Sequence, residues 1–283
     1  MAVEIQTARR ADLEAITAFL KRDWPQYIAP PEGRHVTVGN WMPGRDDYGL
    51  KLTVDGALAG FLGASYSVRP VDGAEERFCA IAPWFVREEH RRHSLPMLLK
   101  LLSDKSLTYV NLTPTRDMFR LFSTLGFARL DECKLLMPPF FNLPGLRPWR
   151  GRLLTRPDDV ARALMGDDLR TFESHRESRC CHVAVVSDGG VAYVAGARRM
   201  LRPNMPFAEL LHVSRPGLLA PMIERIVWLM CRRLRAVAVA ADERLLAGAP
   251  VRAYRYRLNA PPLFKSARLP REKIDNLWSE LAL

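Results

Sequence analysis

The sequence predicts an α/β protein built as two halves with the same order of elements. Apolar runs flank Asp55-Gly56 and again Asp188-Gly189, and each pair reads as a β-hairpin. An apolar strand ends at Val86 and another at Val213, and each leads through a turn into a helix. The two hairpins and the two strand ends are separated by nearly equal offsets, the signature of an internal duplication with low sequence identity. Between the halves, "LMPPFFNLPGLRPWRGR" (136–152) is Pro-rich and breaks periodicity. The expected division is therefore a first domain at 1–138, a linker at 139–151 and a second domain at 152–283.

In chain order, "VEIQTA" is a short strand. Asp12 can cap a helix whose apolar positions Leu13, Ile16, Phe19 and Leu20 share one face. Trp24-Pro25 ends that helix, and a loop rich in Pro and Gly runs to about Gly49. The first hairpin follows, then a strand from about Phe78 to Val86 and a helix to about Ser103. "LTYVNLT" is the next strand, and "RDMFRLFSTLGF" is a short helix with Gly126 as the residue beyond its end. After the Pro-rich stretch, "RLLTRPDDVARALM" gives a strand and a helix from about Pro157. The second hairpin, the strand to Val213, its helix and the strand "RAVAVAA" repeat the earlier order.

A chain of 283 residues with 48% apolar content has enough apolar surface to bury a full core. Its formal net charge of +11 favours anionic partners: nucleotides, nucleic acid or a membrane surface. The N-terminal "MAVEIQTARRADLEAI" has no apolar signal region. No apolar run approaches the roughly 20 residues that span a bilayer; "LLAPMIERIVWLMC" is interrupted by Glu224 and Arg225. Five cysteines without framework spacing point to free thiols and a cytoplasmic setting.

The most informative stretch is "VREEHRRHSLPMLLKLL" (86–102). Ser94 reads as a helix cap, Pro96 fits a first turn, and Leu95, Leu98, Leu99 and Leu102 form a stripe expected to be buried. The helix N-terminus then follows Arg91-Arg92-His93 directly. Its free N–H groups and positive dipole end, together with three arginines, suit a phosphate.

This arrangement resembles the GNAT superfamily of acyl-CoA-dependent N-acyltransferases. In that family a strand ending in Val leads through Arg/Gln-x-x-Gly-x-Gly/Ala into a helix. Arg91 matches the first position, whereas Ser94 and Pro96 stand where the family has small glycines. "LFSTLGF" (121–127) is similar to the family's "LYxKxGF". The resemblance covers residues 3 to about 135, and the second half matches in element order. It implies two GNAT-like domains, each a mixed, mostly antiparallel sheet flanked by helices. It also implies acetyl-CoA or another acyl-CoA as acyl donor. The donor would be held by Phe85, Val86, Arg87, Arg91, Arg92, His93, Ser94, Leu95 and Pro96, with Asn111 on the next strand. The acceptor would be an amine, or as a second choice a hydroxyl, on a small molecule or sugar precursor.

The side chains that many family members use for chemistry are missing from the first half. Phe122 takes the place of the tyrosine that protonates the thiolate, and Ala82 takes the place of the glutamate base. The equivalent of that glutamate in the second half is Glu209. Glu209 and His212 are therefore the catalytic candidates. "HRRH" (90–93) lacks the further ligands of a zinc site, so no metal is expected. The adjacent Cys180, Cys181 and His182 point to alternate faces of a strand and do not chelate together. Cys79 has no assignable base and reads as a buried thiol. "RAYRYRLN" reads as a half-buried strand with a solvated Arg face, although interleaved Tyr and Arg also suit single-stranded nucleic acid. The alternatives are a non-catalytic CoA-binding regulatory protein, suggested by Phe122 and Ala82, and a tRNA-dependent aminoacyl transferase or other nucleic-acid-associated protein, suggested by the charge.

Overall fold

The computed structural model describes residues 2–24, 41–42, 44–140, 151–202, 204–247, 249 and 251–279. Most of the expected loop after Trp24 (25–40 and 43) and most of the expected linker (141–150) lie outside the described residues.

The first part of the chain runs β1 (Val3–Thr7), α1 (Leu13–Asp23), β2 (Gly49–Val54), β3 (Ala57–Val71), β4 (Ala74–Val86), α2 (Ser94–Leu101) and β5 (Thr108–Asn111). Next come α3 (Arg116–Thr124), β6 (Ala128–Arg129) and β7 (Cys133–Met137). The later part runs β8 (Gly151–Leu154), α4 (Pro157–Ala163), α5 (Gly166–His175), β9 (Cys181–Ser187), β10 (Gly190–Arg202) and β11 (Met205–Val213). It ends with α6 (Pro216–Leu219), α7 (Ile223–Leu234), β12 (Ala238–Asp242), β13 (Tyr254–Arg257) and β14 (Leu263–Lys265).

Contacts divide the chain into two compact units, neither of them contiguous. One comprises Met1–Arg69, Glu76–Thr113 and Phe264–Leu269; the other comprises Pro70–Glu75, Pro114–Leu263 and Pro270–Leu283. This differs from the division read from the sequence. β7, which falls within the expected 1–138 domain, lies in the second unit and pairs antiparallel with β12 through Met137–Val239 and Leu135–Ala241. In return the first unit's sheet takes β14 from near the chain's end, beside β5.

The strands of the first unit follow the order β1-β2-β3-β4-β5-β14, and the second sheet reads β8-β9-β10-β11-β12-β7-β13. Over these first six positions the order is the same in both. Each sheet contains a parallel pair at the same place, β4–β5 and β11–β12. The two sheets thus share a strand order and the place of their parallel pair.

Local chemistry explains the well-read elements. Asp55 and Gly56 both adopt positive φ, 46° and 79°, which is the two-residue hairpin turn that matches strand twist. Asp72-Gly73 makes the same turn between β3 and β4, at 52° and 81°. α1 buries Leu13, Ile16, Phe19 and Leu20. Ile16, Phe19 and Leu20 join Ala8 and Phe61 in one cluster, and each large apolar side chain contributes about 1.5–3 kcal/mol on burial. In the second unit α7 packs Ile223, Ile226, Val227 and Met230 onto Val183, Val185, Val194, Leu210 and Val239. α7 ends where Arg235 turns left-handed at φ 49°. The strand β13 departs from its expected half-buried state: Tyr254, Arg255, Tyr256 and Arg257 are all exposed on the sheet's edge.

Candidate functional site

The first unit's parallel pair forks. β4 and β5 pair only at Phe78–Thr108, Cys79–Tyr109 and Ala80–Val110. β5 ends one residue later, at Asn111, whereas β4 continues from Ile81 to Val86. Among the described residues no ladder continues this pair past Ala80. The extra length is roughly 20 Å of strand edge at about 3.3 Å per residue. Such an edge is a template for any extended group that carries amides.

Asn111 stands at the fork. It is 2% exposed, and its Nδ2 makes no hydrogen bond among the described residues. An unsatisfied buried donor costs about 1–3 kcal/mol. A ligand oxygen in the fork would remove that cost. Cys79, just inside the fork, is fully buried, and burial raises its thiol pKa. The thiol is therefore kept protonated and poorly nucleophilic.

The other end of the fork is held by packing. Val86 is buried, and a Cβ on Gly60 would lie 2.9 Å from its Cγ2, so glycine is required for β3 to approach this closely. The Arg87 N–H donates to Ala59 O at 3.0 Å, and its guanidinium binds Asp23 at 2.6 Å. Phe85 stacks on Trp24 with ring centroids 5.5 Å apart. Phe85, Val86 and Arg87 therefore position the strand end.

The turn that follows differs from the sequence expectation. Glu88–His93 forms a 3-10 helix that runs directly into α2. Ser94 is the first residue of α2, at φ −62° and ψ −49°, rather than its cap; His93 holds the cap position without a side-chain hydrogen bond. The N–H of His90 donates to Arg87 O and that of Ser94 to Arg91 O. The free amide end therefore moves back to Glu88 and Glu89, whose carboxylates suit the positive dipole end. No residue of the turn has positive φ. Ser94 and Pro96 therefore fit this turn without strain. The burial stripe shifts too: Met97, Leu98, Leu101 and Leu102 are buried, whereas Leu95 and Leu99 are 42% and 51% exposed. Arg91 and Arg92 remain exposed; Arg91 has only a 4.0 Å approach to Glu88, and Arg92 Nε donates to His93 Nε2.

In the second unit, Glu209 and His212 are three residues apart on β11, which by strict alternation places them on opposite faces. Leu211 is an extra residue in the β10–β11 register, between Ala195–His212 and Gly196–Leu210. This bulge returns His212 to the face of Glu209. Glu209 is 3% exposed and binds Lys134 Nζ, with Arg199 Nε at 3.8 Å. Lys134 also lies 3.3 Å from Asp242. Burial alone would lower the lysine's pKa, but the two carboxylates outweigh it and raise it. Asp242 and Asp131 also bind Arg244, which is 8% exposed. Glu209 is thus one member of a buried network of ion pairs.

His212 is placed differently. Its Nδ1 lies 2.7 Å from Asp275 Oδ2, while its Nε2 is buried without a partner among the described residues. A proton on Nδ1 donates to Asp275 and leaves a lone pair on Nε2. The Tyr193 ring is 5.2 Å away. Tyr193 Oη is hydrogen-bonded to His182 Nδ1 at 2.7 Å, and burial, aided by His175, pushes the His182 pKa down to about 4. Asp275, Lys134 and Asp242 were not legible as site residues. They meet β11 only through long-range pairing, and nothing in their local sequence marks them.

Phe122 is fully buried and packs edge-on against Phe127 at 4.7 Å, so it serves the core. Among the described residues no group of three or more His, Cys, Asp or Glu side chains could hold a metal, and no helix is long and apolar enough to cross a membrane.

Known structures share this fold. The chain has the fold of the GCN5-related N-acetyltransferases. A probable N-acyltransferase from Enterococcus faecalis V583 superposes with a TM-score of 0.56 at 9% identity, over 96% of this chain and 74% of that one. A GCN5-related N-acetyltransferase from Anabaena variabilis gives 0.53 at 11% identity, over 93% and 72%. The Saccharomyces cerevisiae N-myristoyltransferase, solved with myristoyl-CoA, gives 0.50 at 12% identity, over 97% and 83%. No family model and no curated sequence matches the chain.

Proposed function

We propose that the protein transfers an acetyl or other acyl group from acyl-CoA to an amine, or as a second choice a hydroxyl, of a small-molecule or sugar-type acceptor. The fork between β4 and β5, with the orphaned Asn111 amide at its base, carries this reading. The pantetheine amides pair with the β4 backbone where it runs past β5, from Ile81 to Val86, and Asn111 Nδ2 donates to a ligand oxygen. Arg91, Arg92 and His93 meet the phosphates from side chains, while Ser94, Leu95 and Pro96 shape the helical turn. In the second unit His212 has the free nitrogen of a general base, and Asp275 orients it. Glu209 acts as the counter-charge of Lys134.

Acetyl-CoA at a hundredfold excess over its Kd is expected to stabilise the protein by about 2.7 kcal/mol, seen as a rise in Tm. An unchanged Tm at millimolar acetyl-CoA contradicts the donor assignment. Asn111→Leu separates binding from folding. Because the native amide donor has no partner among the described residues, the ligand-free variant is expected to keep its stability within about 1 kcal/mol, while one lost hydrogen bond weakens acetyl-CoA about tenfold. Calorimetric titration beside thermal melting checks both halves of that expectation.

A further inference from the structure

The second sheet has the same fork, and the chain fills it with itself. β11 and β12 pair in parallel from Phe207–Ala238 to Leu210–Ala241, after which β11 continues to Val213. The carbonyl freed at Leu211 accepts the N–H of Asn276 at 2.9 Å. The Asn276 side chain reaches the other arm: Nδ2 donates to Asp242 Oδ2, at the end of β12, at 2.6 Å, and Oδ1 accepts from Arg244 Nη2 at 2.7 Å. Arg244 Nε donates to Ile274 O at 2.9 Å, and Asp275 holds His212. Ile274, Asn276, Leu277, Trp278 and Ser279 are all 3% exposed or less.

We propose that Ile274–Ser279 is a built-in occupant of the second fork, so that the chain binds one acyl-CoA, in the first unit only. The inference rests on the reading of the fork as the acyl-CoA site. It is argued from the hydrogen bonds that Asn276 makes to both arms of the second fork, where His212 Nε2 still has no partner among the described residues. In the first fork the buried Asn111 amide donor has no partner among the described residues. In the second, Asn276 serves the strand carbonyl and the groups at the end of β12 together. A pantetheine arm entering there would have to displace five buried residues and break the contacts to Asp242 and Arg244. Entry at the first fork removes an unsatisfied group instead.

Calorimetric titration of the full chain with acetyl-CoA should give one site, about tenfold weaker in Asn111→Leu. Hydrogen exchange at the Asn276 amide should be equally slow with and without acetyl-CoA. Two sites per chain would overturn the proposal, as would loss of Asn276 protection on adding acetyl-CoA with binding unaffected by Asn111→Leu. No binding at all, with Asn276 still protected, would remove the donor assignment and leave the self-filled fork supported.

Discussion

Asp242→Asn is expected to destabilise the second unit by about 3–5 kcal/mol, the usual cost of removing one partner from a buried ion pair. Asp242 faces both Lys134 and Arg244, and its side chain is fully buried. The substitution keeps the shape and removes the charge, leaving two buried cations with less compensation. At roughly 2–4 °C for each kcal/mol, the fall in Tm is easily measured. The same carboxylate predicts an acid limb. Burial raises its pKa, but Lys134 and Arg244 outweigh burial and hold it at about 2, below the ordinary 3.8. A depressed pKa gives stability that is present above 3.8 and is lost as pH falls towards 2. Wild-type Tm should therefore drop more steeply between these values than that of Asp242→Asn. Parallel slopes would mean that the network does not hold this carboxylate ionised.

His212→Asn is expected to lower kcat by about a hundredfold to ten-thousandfold, the usual contribution of a positioned base. Asparagine can still meet Asp275 but offers no basic nitrogen. Asp275→Asn should act more weakly, because it disturbs the orientation and tautomer of His212 rather than removing the base. Its signature is a displaced pH–rate profile, which a merely structural role would not give. Steady-state kinetics of both variants with acetyl-CoA and an amine acceptor checks this. Turnover of His212→Asn within twofold of wild type would remove His212 from the chemistry.

The parts of the fold that were legible in the sequence are those fixed by local chemistry. Asp55-Gly56 specifies its own turn, and the α1 stripe specifies its own buried face. The end of β4 at Val86 was legible from its apolar run. Partner choice between distant strands was not. β7 and β14 have ordinary strand sequences, and nothing local tells β7 to join β12 or β14 to join β5. Small changes of phase also escaped. Beginning the helical path as a 3-10 helix at Glu88 rotates α2, which exposes Leu95 and Leu99 and takes the cap position from Ser94. One extra residue, Leu211, reverses the face of His212. The Asp72-Gly73 turn carried a readable signal that the strand reading passed over, and α5 opens at Gly166 with positive φ, where no cap marks a start. The strand end at Val86 was thus readable, whereas the turn after it folds differently from the reading. The candidate site was unreadable where Asp275 and Lys134 reach β11 from far along the chain.

The central claim is that the first fork holds the acyl donor. A crystal structure of the full chain with acetyl-CoA tests it most directly. The expected result is a pantetheine arm along Ile81–Val86, an oxygen within hydrogen-bond distance of Asn111 Nδ2, and Ile274–Ser279 still seated between β11 and β12. A pantetheine arm between β11 and β12, or a first fork without acetyl-CoA at saturating concentration, would contradict it.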